Sequence, residues 1–197
     1  MKKFTLWLAV ATVLLACCPR APADVTTVAV LAPPARIVPV YVSRDFDAEV
    51  TVQVDAALQA WNEALGGRVL FAMADPRAEL ADGALLAVAA VRGVAFTPVT
   101  SDCGCLPDFA PSALAWTHIG GSQVWMVTDR LADATTVKNV AMHELGHVLG
   151  AHDYYDGRGL MEGSAKVHGD ACVDERTIAE VARHEGLLLS QLHWCPL

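Results

Sequence analysis

The sequence predicts an α+β domain, and three observations predict it. Apolar residues recur at helical spacing between Val50 and Leu65. Five short apolar or alternating runs, bounded by Gly and Pro, fall at 37–42, 68–73, 84–91, 113–119 and 123–127. A capped helical stretch begins near Ala134, and another follows Asp174. The chain of 197 residues is long enough for one domain with a proper core, and it carries no internal repeat.

The first 16 residues stand apart from that core. Lys2 and Lys3 precede an uncharged apolar run over 4–16, too short to cross a bilayer and of the length of a signal-peptide core. The run ends Leu14-Leu15-Ala16-Cys17, which resembles a bacterial lipobox with Cys17 as the lipidated residue. An ordinary secretory signal beside a coincidental cysteine is the competing reading; both export the domain. The expected location is the outer membrane or cell surface, or the periplasm or extracellular space if the lipobox is not used. Residues 17–36, with Pro19, Pro22, Pro33 and Pro34, form a Pro/Ala-rich tether to a domain over 37–197.

The elements of that domain follow in order. Pro39 places the strand at 37–42 near a sheet edge. Val50, Val54, Leu58, Trp61 and Leu65 line one face of a helix of about 18 residues, with Asp47 before it and Gly66-Gly67 after it. Trp61 on that stripe reads as core rather than as a ligand-binding residue. A strand at 68–73 precedes the Asp75-Pro76 turn, and Asp82-Gly83 precedes a buried strand at 84–91. Pro98, Pro107 and Pro111 make 97–112 an irregular connection. The strands at 113–119 and 123–127 form a hairpin about Gly120-Gly121. His118 in it reads as a surface or satisfied histidine, not a metal ligand. Asp133 caps the next helix, whose buried stripe is Val137, Ala141, Leu145 and Val148. A Gly-rich loop with Tyr154 and Tyr155 runs over 154–172. Asp174 caps the last helix, to about Gly186, with Val173 and Ile178 as its hydrophobic staple.

Charge and cysteines narrow the class. Removing residues 1–16 takes away two lysines and no acid, moving the net charge from −8 to −10. Such an acidic surface argues against nucleic acid or an anionic membrane as partner. Beyond Cys17 and Cys18 there remain Cys103, Cys105, Cys172 and Cys195, an even set that reads as disulfides in an exported protein. Bridging Cys103 to Cys105 would strain the loop, so each is expected to pair with Cys172 or Cys195. A Cys₄ zinc site is the minor alternative. No Asp-rich loop of recognised spacing points to calcium.

The chemistry lies in His143-Glu144-Leu145-Gly146-His147-Val148-Leu149-Gly150-Ala151-His152-Asp153. Residues four apart share a helix face, so His143 and His147 can aim their imidazoles at one point. Neutral imidazole suits Zn²⁺, which in a catalytic site takes three protein ligands and leaves a position for water. Glu144 is placed to reach that water without ligating the metal. Gly150 ends the helix, and Asp153 can return as third ligand. With those offsets required, chance would produce the pattern in about one such chain in ten thousand.

This stretch resembles the zinc-binding consensus of the metzincin metallopeptidases, and Gly159-Leu160-Met161 resembles their Met-turn. The likeness, closest to matrixin-like and snapalysin-like members, spans roughly 37–190. It implies an α/β/α-like catalytic domain: a twisted mixed sheet of about five strands, a backing helix, an active-site helix, a Met-turn and a C-terminal helix. It implies Zn²⁺ held by His143, His147 and Asp153, with Glu144 as general base and peptide bonds as the substrate. That substrate would lie extended and antiparallel to the strand at 113–119, and a monomer is expected. Membrane contact would run only through a lipid anchor at Cys17.

Alternatives attach to named residues. His152 is a chemically better zinc ligand than a carboxylate but stands one residue short of the expected offset. Glu175 or Glu180 would be the third ligand in a thermolysin-type site, which leaves Gly150 and Asp153 unexplained. Tyr154 or Tyr155 is a candidate oxyanion donor, with loop packing as the competing role. Cys103-Gly104-Cys105-Leu106-Pro107-Asp108 resembles an inhibitory pro-segment but falls inside the domain, so disulfide use is preferred. A catalytically inert surface lipoprotein that keeps the fold as a binding module is the non-enzymatic alternative. Against it stands Glu144, needed only for chemistry.

Overall fold

The structure, a computed structural model, describes residues 36–74, 93–104, 112–163 and 171–196. The expected signal segment, all of the tether but Arg36, the turn at Asp75-Pro76, the strand at 84–91 and Cys105 lie outside the described residues.

Five strands, β1 (Arg36–Val42), β2 (Val69–Met73), β3 (Val94–Val99), β4 (Ala115–Thr117) and β5 (Gln123–Val127), form one sheet in the order β2-β1-β3-β5-β4. All neighbours are parallel except β4, which runs antiparallel to β5 at the edge. Helices α1 (Ala48–Ala64) and α2 (Ala134–Val148) pack on each other and reach the sheet, and α3 (Glu175–Glu185) follows the site loop. The domain is a mixed α+β sheet with backing helices, as the sequence predicts.

The helix ends follow their signals. Asp47 accepts the Val50 N–H at 2.8 Å, Asp133 that of Thr136 at 2.8 Å and Asp174 that of Thr177 at 3.0 Å. Val50, Val54, Leu58 and Trp61 are all buried, and Trp61 Nε1 donates to the Met142 carbonyl at 2.8 Å, fixing α1 against α2. Val173 and Ile178 are buried as a staple at the start of α3, and Gly186 closes that helix at φ 67°.

Three expectations are corrected. Residues 94–99 form a strand, β3, where an irregular connection was expected from 97 onward. β1 is paired on both sides, one strand in from the edge at β2, so its proline does not sit on an edge strand among the described residues. Both corrections turn on proline. Ser43 N–H donates to the Phe96 carbonyl at 3.0 Å, and alternation then turns Pro39 toward β3 and Pro98 toward β1. Pro39 lies one position before the β1–β3 ladder opens and Pro98 lies past its end, so neither missing N–H breaks a rung. The third correction is the disulfide. Cys172 pairs with Cys195, because the Cys195 N–H donates to the Val173 carbonyl and lays the C-terminal segment beside residue 172. Cys103 is in a disulfide with neither of them, so it offers no thiolate for an inhibitory role.

Candidate metal centre

The site is built on the last turns of α2. Gly146 faces inward there: a Cβ on it would stand 2.4 Å from Met161 Sδ, so its lack of a side chain lets fully buried Met161 pack directly beneath the helix. Leu160, just before it, receives the Asp174 carboxylate on its N–H at 2.8 Å. Its carbonyl accepts from His143 Nδ1 at 2.9 Å. The loop at 159–161 thus sits below the helix and orients the first imidazole, as the Met-turn resemblance implies.

His147 is oriented in the same manner, its Nδ1 donating to the Ala151 carbonyl at 2.9 Å. A carbonyl only accepts, so both Nδ1 atoms carry a proton, and in the neutral imidazole that a metal needs the lone pair is then on Nε2. Those two Nε2 atoms lie 3.1 Å apart. Gly150, at φ 89°, reverses the chain, and its N–H donates back to the His147 carbonyl at 2.9 Å. Three residues on, Asp153 Oδ1 stands 3.1 Å from His143 Nε2 and 3.4 Å from His147 Nε2.

Three Lewis-basic atoms therefore face one point. Ligands held at 2.0–2.2 Å around a tetrahedral zinc lie about 3.3–3.6 Å from one another. The observed triangle is close to that size, and a donor set of two imidazoles and a carboxylate suits zinc. Electrostatics agree. Burial opposes charge on His147, but Asp153, Glu144 and the Ala151 carbonyl outweigh it and raise its pKa. Burial likewise opposes charge on Asp153, yet the two imidazoles hold its carboxyl well below the usual carboxylate range.

Glu144 is 5% exposed, with a carboxylate oxygen within 4.8 Å of both imidazole ligand atoms. Its Oε2 is buried with no hydrogen-bond partner. A buried carboxylate oxygen without a donor is unusual, and here it adjoins an open cavity of about 720 Å³. Residues 113–119, around β4, line one stretch of that cavity, and Tyr155, Glu162 and Gly163 line it as well. Thr117, whose hydroxyl is also buried and unpartnered, belongs to the same stretch. Sequence reasoning singled out neither Thr117 nor Glu162, because neither falls at a motif offset.

The remaining candidates lie elsewhere. His152 turns outward, its Nδ1 2.8 Å from Glu180 Oε1. Glu180 also accepts the Tyr154 hydroxyl, and Arg176 lies over the Tyr154 ring at 3.4 Å. Burial and the Glu180 carboxylate push the Tyr154 hydroxyl pKa up. Glu175 is exposed in the first turn of α3. His118 packs edge-on against Trp116 at 4.2 Å on the cavity rim. Tyr155 is 77% exposed beside the cavity, so of the two tyrosines it alone faces the site without an acceptor on its hydroxyl among the described residues.

No family model and no curated protein matches the chain. Among solved structures, High choriolytic enzyme 1, a hatching-enzyme zinc-protease from Oryzias latipes (Medaka fish), aligns at 14% identity over 59% of this chain and 44% of that one, with a TM-score of 0.36. Archaemetzincin from Methanopyrus kandleri aligns at 16% identity over 80% of this chain and 99% of that one, with a TM-score of 0.52. The chain has a metzincin-like fold, and the likeness is not to the matrixin-like or snapalysin-like members in particular.

Proposed function

We propose that the protein is an exported zinc-dependent endopeptidase. The observation that carries this is the meeting of His143 Nε2, His147 Nε2 and Asp153 Oδ1 beside a buried Glu144 oxygen without a partner. His143, His147 and Asp153 would hold the ion, and His152 would not. Zinc in such a set lowers the pKa of a water and polarises a carbonyl. Glu144 takes a proton from the water as its oxygen bonds to the scissile carbon, then gives that proton to the amine as the C–N bond breaks. Tyr155 is the candidate donor to the developing oxyanion.

The substrate is a protein or peptide bound as an extended strand. What supports this is β4, which among the described residues is an edge strand paired only with β5 and lines the cavity along its length. An extended segment can add to such an edge through main-chain hydrogen bonds. Export is supported by the Cys172–Cys195 disulfide, which persists in oxidising compartments. Anchoring through Cys17 and a monomeric state belong to the same proposal.

Digestion of casein or gelatin tests it. Activity is expected with the zinc-loaded protein and is lost with a chelator. Glu144→Ala should lower kcat by about 10²–10⁴ while bound zinc stays stoichiometric. A zinc-loaded protein that cuts no protein and no peptide library would leave the inert binding module as the better account.

A further inference from the structure

Asp153 is flanked by two residues held by the same side chain. The Glu180 carboxylate, on α3, accepts the Tyr154 hydroxyl, His152 Nδ1 at 2.8 Å and the His152 backbone N–H at 3.3 Å. A lone His–Glu pair at this site would be a surface contact, since the His152 side chain is 61% exposed. The hydroxyl and backbone donors make it a three-donor anchor, and only a fifth of the Glu180 side chain is exposed.

Alternation explains what the anchor does. Tyr154 bridges to Glu162, so the chain runs extended there, and side chains in an extended segment point alternately to opposite sides. A carboxylate that takes residues 152 and 154 on one side leaves residue 153 facing the other. We propose that Glu180 is a positioning residue for the metal centre. It holds both neighbours of Asp153 against α3, and so fixes the return of the chain after Gly150 that brings Asp153 Oδ1 to the two imidazoles. One helical turn earlier, Arg176 covers the Tyr154 ring and pairs with Asp156 at 2.7 Å, securing the same loop two residues further along. This inference rests on the ligand set proposed above. It adds that the third ligand is preorganised through its neighbour His152 by a carboxylate 28 residues from that histidine in sequence.

The test is zinc affinity, measured by competition with a chromogenic chelator, in the wild type, Glu180→Ala, Asp153→Ala and the double variant. Groups that orient a metal ligand typically change affinity by about 10–100-fold when removed, and Glu180→Ala is expected in that range. In the Asp153→Ala background the same substitution should change the Kd less than about threefold, because the group it acts through is gone. A merely structural role would weaken binding equally in both backgrounds, and that result overturns the proposal. So does a Glu180→Ala Kd within about threefold of wild type while Asp153→Ala loses zinc. If Asp153→Ala binds as wild type, the ligand assignment falls as well. Should Glu180→Ala not fold, Tyr154→Phe carries the same comparison with the ring left under Arg176. Glu180→Gln, whose one carbonyl oxygen can still accept the Tyr154 hydroxyl and the His152 backbone N–H that share Glu180 Oε2, should bind zinc more tightly than Glu180→Ala.

Discussion

Gly146 sits in the middle of the zinc-motif helix, yet its role is packing. A Cβ there would stand 2.4 Å from Met161 Sδ and 3.1 Å from its Cε, and Met161 is wholly buried, so moving it aside must disturb the packing around it. Gly146→Ala is therefore expected to destabilise the domain by about 1–3 kcal/mol, as overpacked cores do, which thermal unfolding would register as a lower Tm. An unchanged Tm would mean that Met161 can move aside. The neighbouring question is the third ligand. His152 points to Glu180 and Asp153 to the imidazoles, so Asp153→Ala should lose zinc and His152→Ala should keep it stoichiometrically in metal analysis. The reverse result would exchange their roles. The imidazole pair was legible from the sequence because i, i+4 spacing is a local property of a helix. The choice between residues 152 and 153 was less so, because it depends on where α3 places Glu180.

Among the elements, α3 does more than close the chain. Its cap, Asp174, is 1% exposed and uses both carboxylate oxygens: Oδ1 accepts the Thr177 N–H, while Oδ2 accepts the Leu160 N–H at 2.8 Å and the Thr177 hydroxyl at 2.7 Å. Losing a cap costs about 1 kcal/mol, and a buried N–H left without an acceptor costs about 1–3 more. Asp174→Ala should thus lower stability by about 2–4 kcal/mol in denaturant unfolding, well beyond a simple cap. A loss below about 1 kcal/mol would show that Leu160 finds another acceptor. The sequence announced this cap but not its second partner, since Leu160 lies 14 residues upstream. The same limit explains β3. Pro98 argues locally against a strand, and only the register with β1 reveals that its missing N–H falls beyond the ladder. It also explains the disulfide, for the Val173–Cys195 backbone contact that selects Cys172 has no local signature.

For the molecule as a whole, metal, protons and folding compete at one centre. In the metal-free protein the His147 pKa is raised above its usual 6.5 and that of Asp153 is depressed below 3.8. A raised histidine contributes stability that is fully present below about pH 6.5 and lost as pH rises through the folded-state value. A depressed carboxyl contributes stability that is present above about pH 4 and lost as pH falls through its folded-state value. The metal-free domain should therefore gain most from this pair between about pH 4 and 6.5. Zinc reverses the upper limb. It requires a deprotonated His147, so each proton it displaces improves its apparent Kd about tenfold per pH unit until that histidine is neutral. Because binding to the folded state adds stability by mass action, about 4 kcal/mol at a thousandfold excess over Kd, the Tm gained on adding zinc should widen as pH rises from 5.5 to 7.5. Calorimetry with zinc and with chelator across that range measures the gap. A gap constant with pH would mean that zinc displaces no proton, and that the ion is not bound through His147.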